Sequence, residues 1–125
     1  MYIEWNDDYL IGYDFIDQQH KDLFFLANKI FACTEVGSMI PCFMALFEYV
    51  NFHFKEEESI MATLEYHYIQ EHMVLHIKMV EALALISESM ALGTLDLEKI
   101  HRFMANWLLV HIRTEDKKLF DFVKG

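Results

Sequence analysis

The chain has 125 residues, of which 54% are hydrophobic and 15% aromatic, with only 4 glycines and 1 proline. This is enough for one compact domain and no second, and it argues against disorder, collagen-like repeats and a turn-rich all-β design. Twenty acidic residues against 10 basic ones leave a net charge of -10, which repels phosphate backbones and anionic membrane surfaces in the absence of a local basic patch, so nucleic acid is not expected as a partner.

Residues 1–15 show no sustained period and hold Trp5 and Gly12; they are expected to form an ordered arm that caps the core. From Asp17 onward, Ile16, His20, Leu23, Ala27 and Ile30 alternate four- and three-residue steps, which predicts an amphipathic helix over 17–36 ending near Gly37-Ser38. Pro41 suits a first turn, and Phe43, Leu46, Val50, His53, Glu57, Ile60 and Leu64 predict a second helix over 40–64. Ile69, His72, His76, Val80, Leu83 and Ile86 mark a third, stopped by Leu92-Gly93-Thr94. Asp96 is an expected N-cap for a fourth, with the stripe Leu97, Ile100, Met104, Trp107 and His111. Long helices joined by short loops must alternate direction, so the expected fold is an all-α, up-down-up-down four-helix bundle over 16–125 with the arm at 1–15.

The stripes contain a contradiction. His20, His53, Glu57, His72, His76 and His111 stand where a bundle core wants Leu or Ile. A buried, unpaired carboxylate costs several kcal/mol, and imidazole nitrogens also need partners, so such a set points to a metal bound among them. Axial register supports this, given a rise of about 1.5 Å per residue. His20 lies roughly 24 Å below the predicted end of the first helix, and His53 and Glu57 roughly 20 and 25 Å below the predicted start of the second. Glu57 and His72 lie about 10 and 9 Å from the next connection, and His76 and His111 about 21 and 22 Å from the last. All four helices thus place donors in one layer. Within a helix, residues four apart share a face, so His53 with Glu57 and His72 with His76 can each offer two donors to one site. This many imidazoles exceeds what one tetrahedral zinc uses. Nitrogen-rich sites with bridging carboxylates suit two iron ions, with manganese or zinc as chemical alternatives.

Along essentially its whole length the chain resembles the hemerythrin family, in particular its single-domain bacterial members. The resemblance is carried, in order, by the arm with Trp5 and Gly12, the IDQQH segment ending at His20, HFKEE from His53 to Glu57, the H-x-x-x-H of His72 and His76, and WLLVHIRTED. It implies two iron ions cycling between ferrous and ferric states: His72, His76 and His111 on one, His20 and His53 on the other. Glu57, Asp116 and a solvent-derived oxo or hydroxo group would bridge the two. It also implies reversible binding of dioxygen for transport, storage or delivery, with Phe54, Trp107, Leu108 and Ile112 walling a dry pocket. The same site could instead serve an enzyme or a sensor acting on dioxygen, peroxide or nitric oxide. An oxygen-consuming enzyme is the protein partner such a carrier would serve, and a monomer or weak oligomer is expected.

Spacing and family pattern part at one position. Asp116 follows His111 by five residues, which in a regular helix turns it about 140° from the stripe, so spacing alone favours Glu115. The family pattern favours Asp116 and requires a wide or π-type turn between Ile112 and Glu115.

His67 and His101 match no ligand position and read as turn or surface residues, Glu56 and Glu58 as a solvated face, and the 8 methionines as core filler. Cys33 and Cys42 are too few for a disulfide framework and read as inert thiols in a reducing compartment. The opening MYIEWNDDYL is acidic where a secretory signal is basic and then apolar, and nothing nears the ~20 apolar residues of a membrane span. A soluble, cytoplasmic protein without membrane contact is therefore expected.

Overall fold

The computed structural model describes residues 1–94 and 96–124. It is a four-helix bundle: α1 (Asp14–Phe31), α2 (Val36–Thr63), α3 (Ile69–Leu92) and α4 (Leu97–His111), the last continuing through a π turn (Ile112–Asp116) into α5 (Lys117–Lys124). Among the described residues no helix is long and apolar enough to cross a membrane.

The punctuation behaves largely as its chemistry requires. Asp96 caps α4, its Oδ1 accepting from the Lys99 N–H at 3.2 Å. Gly93 closes α3 with φ of 71°, the left-handed conformation that a side chain resists. The first connection departs from expectation. α1 ends at Phe31 rather than 36, and α2 begins at Val36 rather than 40, so Gly37 and Ser38 are helical and Pro41 lies inside the helix. The apolar stripe of α1 is exhausted at Ile30 and Phe31, whereas Met39 is fully buried and must already be on a helix to reach the core. Pro41 leaves the Gly37 carbonyl without its helical donor, but both residues are exposed, so water can serve it. With these ends His20 stands about 17 Å from the end of α1 and His53 about 26 Å from the start of α2. The offset of about 9 Å is within reach of the short connection between them, since an extended residue spans about 3.3 Å.

The arm before α1 holds a 3-10 turn at Asp7–Tyr9 and packs on the bundle through buried Ile3, Tyr9 and Ile11. Asn28 of α1 ties it down: it accepts from the Ile3 N–H and donates to the Ile3 carbonyl, both at 2.9 Å. Asp17 accepts from the Ile11 and Gly12 N–H groups at 2.7 and 3.3 Å, beside Gly12 at φ of 91°.

The apolar interior is divided. A larger cluster includes Leu23, Val50, Phe54, Met79, Leu108 and Ile112, and a smaller one holds Ile11, Ile16, Met61, Tyr66 and Leu119. On α1 the break falls between Ile16 and Leu23, on α2 between Phe54 and Met61, and past α4 between Ile112 and Leu119. A polar layer fills it.

Candidate metal centre

That layer consists of His20 from α1, His53 and Glu57 from α2, His72 and His76 from α3, His111 from α4 and Asp116 from the π turn, all buried. The expected widened turn is present at Ile112–Asp116, and it carries Asp116 onto the face of His111. Glu115 points outward and pairs with Lys118 at 3.4 Å.

Two sets of donor atoms converge: Glu57 with His72, His76 and His111, and Glu57 with His20 and His53, each set lying within 4.8 Å. Glu57 meets both. Its Oε1 lies 2.7 Å from His72 Nε2 and 3.1 Å from His76 Nε2, and its Oε2 lies 3.3 and 3.5 Å from His53 and His20 Nε2. Asp116 also spans the two sets, with Oδ1 at 3.1 and 3.3 Å from His72 and His111 and Oδ2 at 3.2 Å from His20.

These contacts are close but poorly made as hydrogen bonds. His20 Nε2, His111 Nε2, Glu57 Oε2 and both Asp116 oxygens are buried without a hydrogen-bond partner, although each lies within 3.5 Å of an opposite group. Buried polar atoms in that condition are costly. His76 sharpens the point, because its Nδ1 faces Glu58 Oε2 at 2.9 Å while its Nε2 faces Glu57 at 3.1 Å. A neutral imidazole has one N–H and one lone pair, so one carboxylate would face a lone pair unless the ring is charged or a cation intervenes. Cations at the two convergence points would satisfy these five inward-facing atoms at once. The donor set therefore fits a buried pair of metal ions.

The imidazoles and carboxylates of the layer shift one another's protonation. Burial disfavours charge on His20 and His72, yet contact with Asp116 and Glu57 outweighs it and raises them to about 9 and about 10. At His53 burial wins and the pKa falls, despite Glu57. Burial pushes the carboxyls of Glu57 and Asp116 upward, but the surrounding imidazoles overcome this and hold both well below the ordinary range.

Two of the four predicted pocket residues touch this layer. Phe54 stacks on His76 with ring centroids 3.7 Å apart, and Trp107 stacks on His111 at 4.8 Å. Leu108 and Ile112 are buried in the larger core cluster, which also holds Phe54. His67 is exposed on the turn before α3, as expected. His101 is not a turn or surface residue but is half-buried on α4, edge-on to Phe31 at 5.4 Å.

Two residues were misjudged or missed by sequence reasoning. Glu58 is not merely solvated, since it accepts the His76 Nδ1 hydrogen bond. Gln19 is buried, and its Oε1 lies 2.7 Å from His53 Nδ1. Each immediately adjoins a member of the layer, Glu57 or His20, and so falls off the helical stripe by about 100° per residue, where periodicity carries no signal.

Comparison with known proteins agrees with this fold. A bacteriohemerythrin of Clostridium acetobutylicum is 27% identical over 130 residues, covering 94% of this chain and 98% of that protein. Hemerythrin subunit alpha of Lingula reevii is 32% identical over 114 residues, covering 91% of this chain and 89% of the relative. A crystal structure of wild-type hemerythrin superposes with a TM-score of 0.89 at 27% identity, covering 98% of both chains. The family model for the hemerythrin HHE cation binding domain matches residues 11–123, and the chain belongs to this family.

Proposed function

We propose that this chain holds two iron ions in the buried layer and binds dioxygen reversibly there, as a carrier or store rather than an enzyme. His72, His76 and His111 would hold one ion and His20 and His53 the other, with Glu57 and Asp116 shared. The observation that carries this reading is that both carboxylates contact members of both histidine groups. When bound, the irons supply the electrons and the coordination position that a reversible dioxygen ligand needs.

The protein's own residues do the rest. Glu58 and Gln19 face the Nδ1 atoms of His76 and His53, which leaves each Nε2 lone pair directed into the layer. Phe54 and Trp107 stack on His76 and His111, and Leu108 and Ile112 are buried in the same core cluster as Phe54; this apolar surface would limit the access of water and proton donors that turn reversible binding into irreversible oxidation.

The test is metal analysis combined with optical spectra through repeated air and argon cycles. Two irons per chain and an absorption band that comes and goes with oxygen are expected. Sustained oxygen, peroxide or nitric oxide consumption with an external reductant would make the chain an enzyme instead.

A further inference from the structure

Glu58 and Gln19 differ in the chemistry they present to the layer. The histidines of one set include His76, whose outer nitrogen meets a carboxylate at 2.9 Å. In the other set, His53 meets a neutral amide oxygen at 2.7 Å, and the outer nitrogen of His20 is buried with no hydrogen-bond partner. A carboxylate that accepts the Nδ1 proton pushes electron density into the ring and makes Nε2 a stronger donor, whereas an amide does so weakly and an absent partner not at all. Stronger donors favour the higher oxidation state of a bound metal.

A ligand role for His53 would fix the direction of its hydrogen bond to Gln19. If Gln19 were turned so that its amide nitrogen donated to His53 Nδ1, the ring proton would sit on Nε2, 3.3 Å from Glu57 Oε2, and His53 could not offer a lone pair to the layer.

We propose that Glu58 and Gln19 are positioning residues that widen the electronic difference already set by three histidines against two, so that an ion held at His72, His76 and His111 would be oxidised first and one held at His20 and His53 would stay ferrous longer. This rests on the di-iron reading above. It assigns a role to residues that lie outside the ligand set, and it explains why one acceptor is charged and the other neutral.

The test uses the full chain loaded with ferrous salt under argon and titrated with ferricyanide in the presence of redox mediators. Each ferricyanide takes one electron from one ferrous ion, giving ferrocyanide and a ferric ion. Iron content is read by metal analysis, and the half-oxidised form by electron paramagnetic resonance. In the wild type, two separate steps and a well-populated half-oxidised form are expected. Glu58→Gln should shift the first step about tenfold toward ferrous, and Gln19→Glu should shift the second about tenfold toward ferric, each narrowing the gap between steps. A structural role alone would lower the melting temperature and leave both steps in place. Steps within twofold of wild type in both iron-loaded variants overturn the inference and leave the di-iron reading intact. If Glu58→Gln fails to load, Gln19→Glu decides by itself, because it strengthens an existing acceptor. A wild type that does not take up two irons overturns both readings.

Discussion

Asp116 Oδ1 lies 3.3 Å from His111 Nε2, although it follows His111 by five positions in the chain. The π turn at Ile112–Asp116 makes this contact possible by adding one residue to a helical turn. Asp116 is fully enclosed, whereas Glu115 pairs with Lys118 at the surface. Asp116→Ala should therefore reduce iron content below two per chain and weaken iron binding at least tenfold. Glu115→Ala should leave iron content unchanged and alter stability by no more than about 0.5 kcal/mol. Metal analysis and thermal melts of the two variants check this; the reverse pattern would restore the assignment that helical spacing favours.

Metal-free protein and iron-loaded protein should respond oppositely to alkali. His20 and His72 are raised from 6.5 to about 9 and about 10, so they bind protons more tightly folded than unfolded. Their contribution to the metal-free fold is complete below about pH 6.5 and disappears as pH rises through 9 and 10. Glu57 and Asp116 are lowered, so theirs is present above the ordinary carboxylate range and is lost as the pH falls. Metal-free melting temperatures should peak on the acid side of neutrality and fall toward pH 10. Iron needs neutral imidazoles, so its affinity should rise between pH 6 and 9 with release of protons. Melts across pH, together with chelator competition, measure both trends, and an alkaline rise in metal-free stability would contradict the first.

Loss of His111 should couple metal and fold. His111→Ala removes a donor that meets Asp116 and forfeits the stacking of Trp107. Iron occupancy and thermal stability should drop together, because metal binding energy is also folding energy. Full iron content in this variant would rule His111 out as a ligand.

The stack of Phe54 on His76 predicts a separable effect on oxygen chemistry. Phe54→Leu keeps the position apolar but loses the ring contact and leaves space, a destabilisation of about 1–2 kcal/mol. With iron content unchanged, irreversible oxidation in air should accelerate severalfold as water gains access. Spectra followed over hours measure this, and a rate equal to wild type would remove Phe54 from the barrier.

The arm depends on one side chain. Asn28→Ala strips both hydrogen bonds from Ile3, leaving partly buried backbone groups unpaired at a cost of about 1–3 kcal/mol. Hydrogen exchange should speed up across residues 1–13 while iron content stays the same. Unchanged exchange there would mean that the apolar contacts of Ile3, Tyr9 and Trp5 hold the arm unaided.

Much of this molecule was legible in its residues, for identifiable reasons. A 3.6-residue period survives in any helix with one buried face, so the four rods were readable. Histidines and Glu57 on those faces stood out because burying them unpaired costs too much. Cap chemistry at Asp96 and Gly93 is local and likewise readable. The first connection was not, since exposed helix starts tolerate Gly37 and Pro41 and the burial of Met39 decided the boundary. Spacing did not select Asp116; that choice came from the family pattern, and the folded chain supplies the π turn it requires. The partners Glu58 and Gln19 emerged only in three dimensions. Their hydrogen bonds cross between helices, and which neighbour an off-stripe side chain meets depends on how the helices are set against one another. Helical pattern and buried charge were thus written in the order of residues, whereas the second oxygen donor's geometry and the outer hydrogen bonds arose from packing.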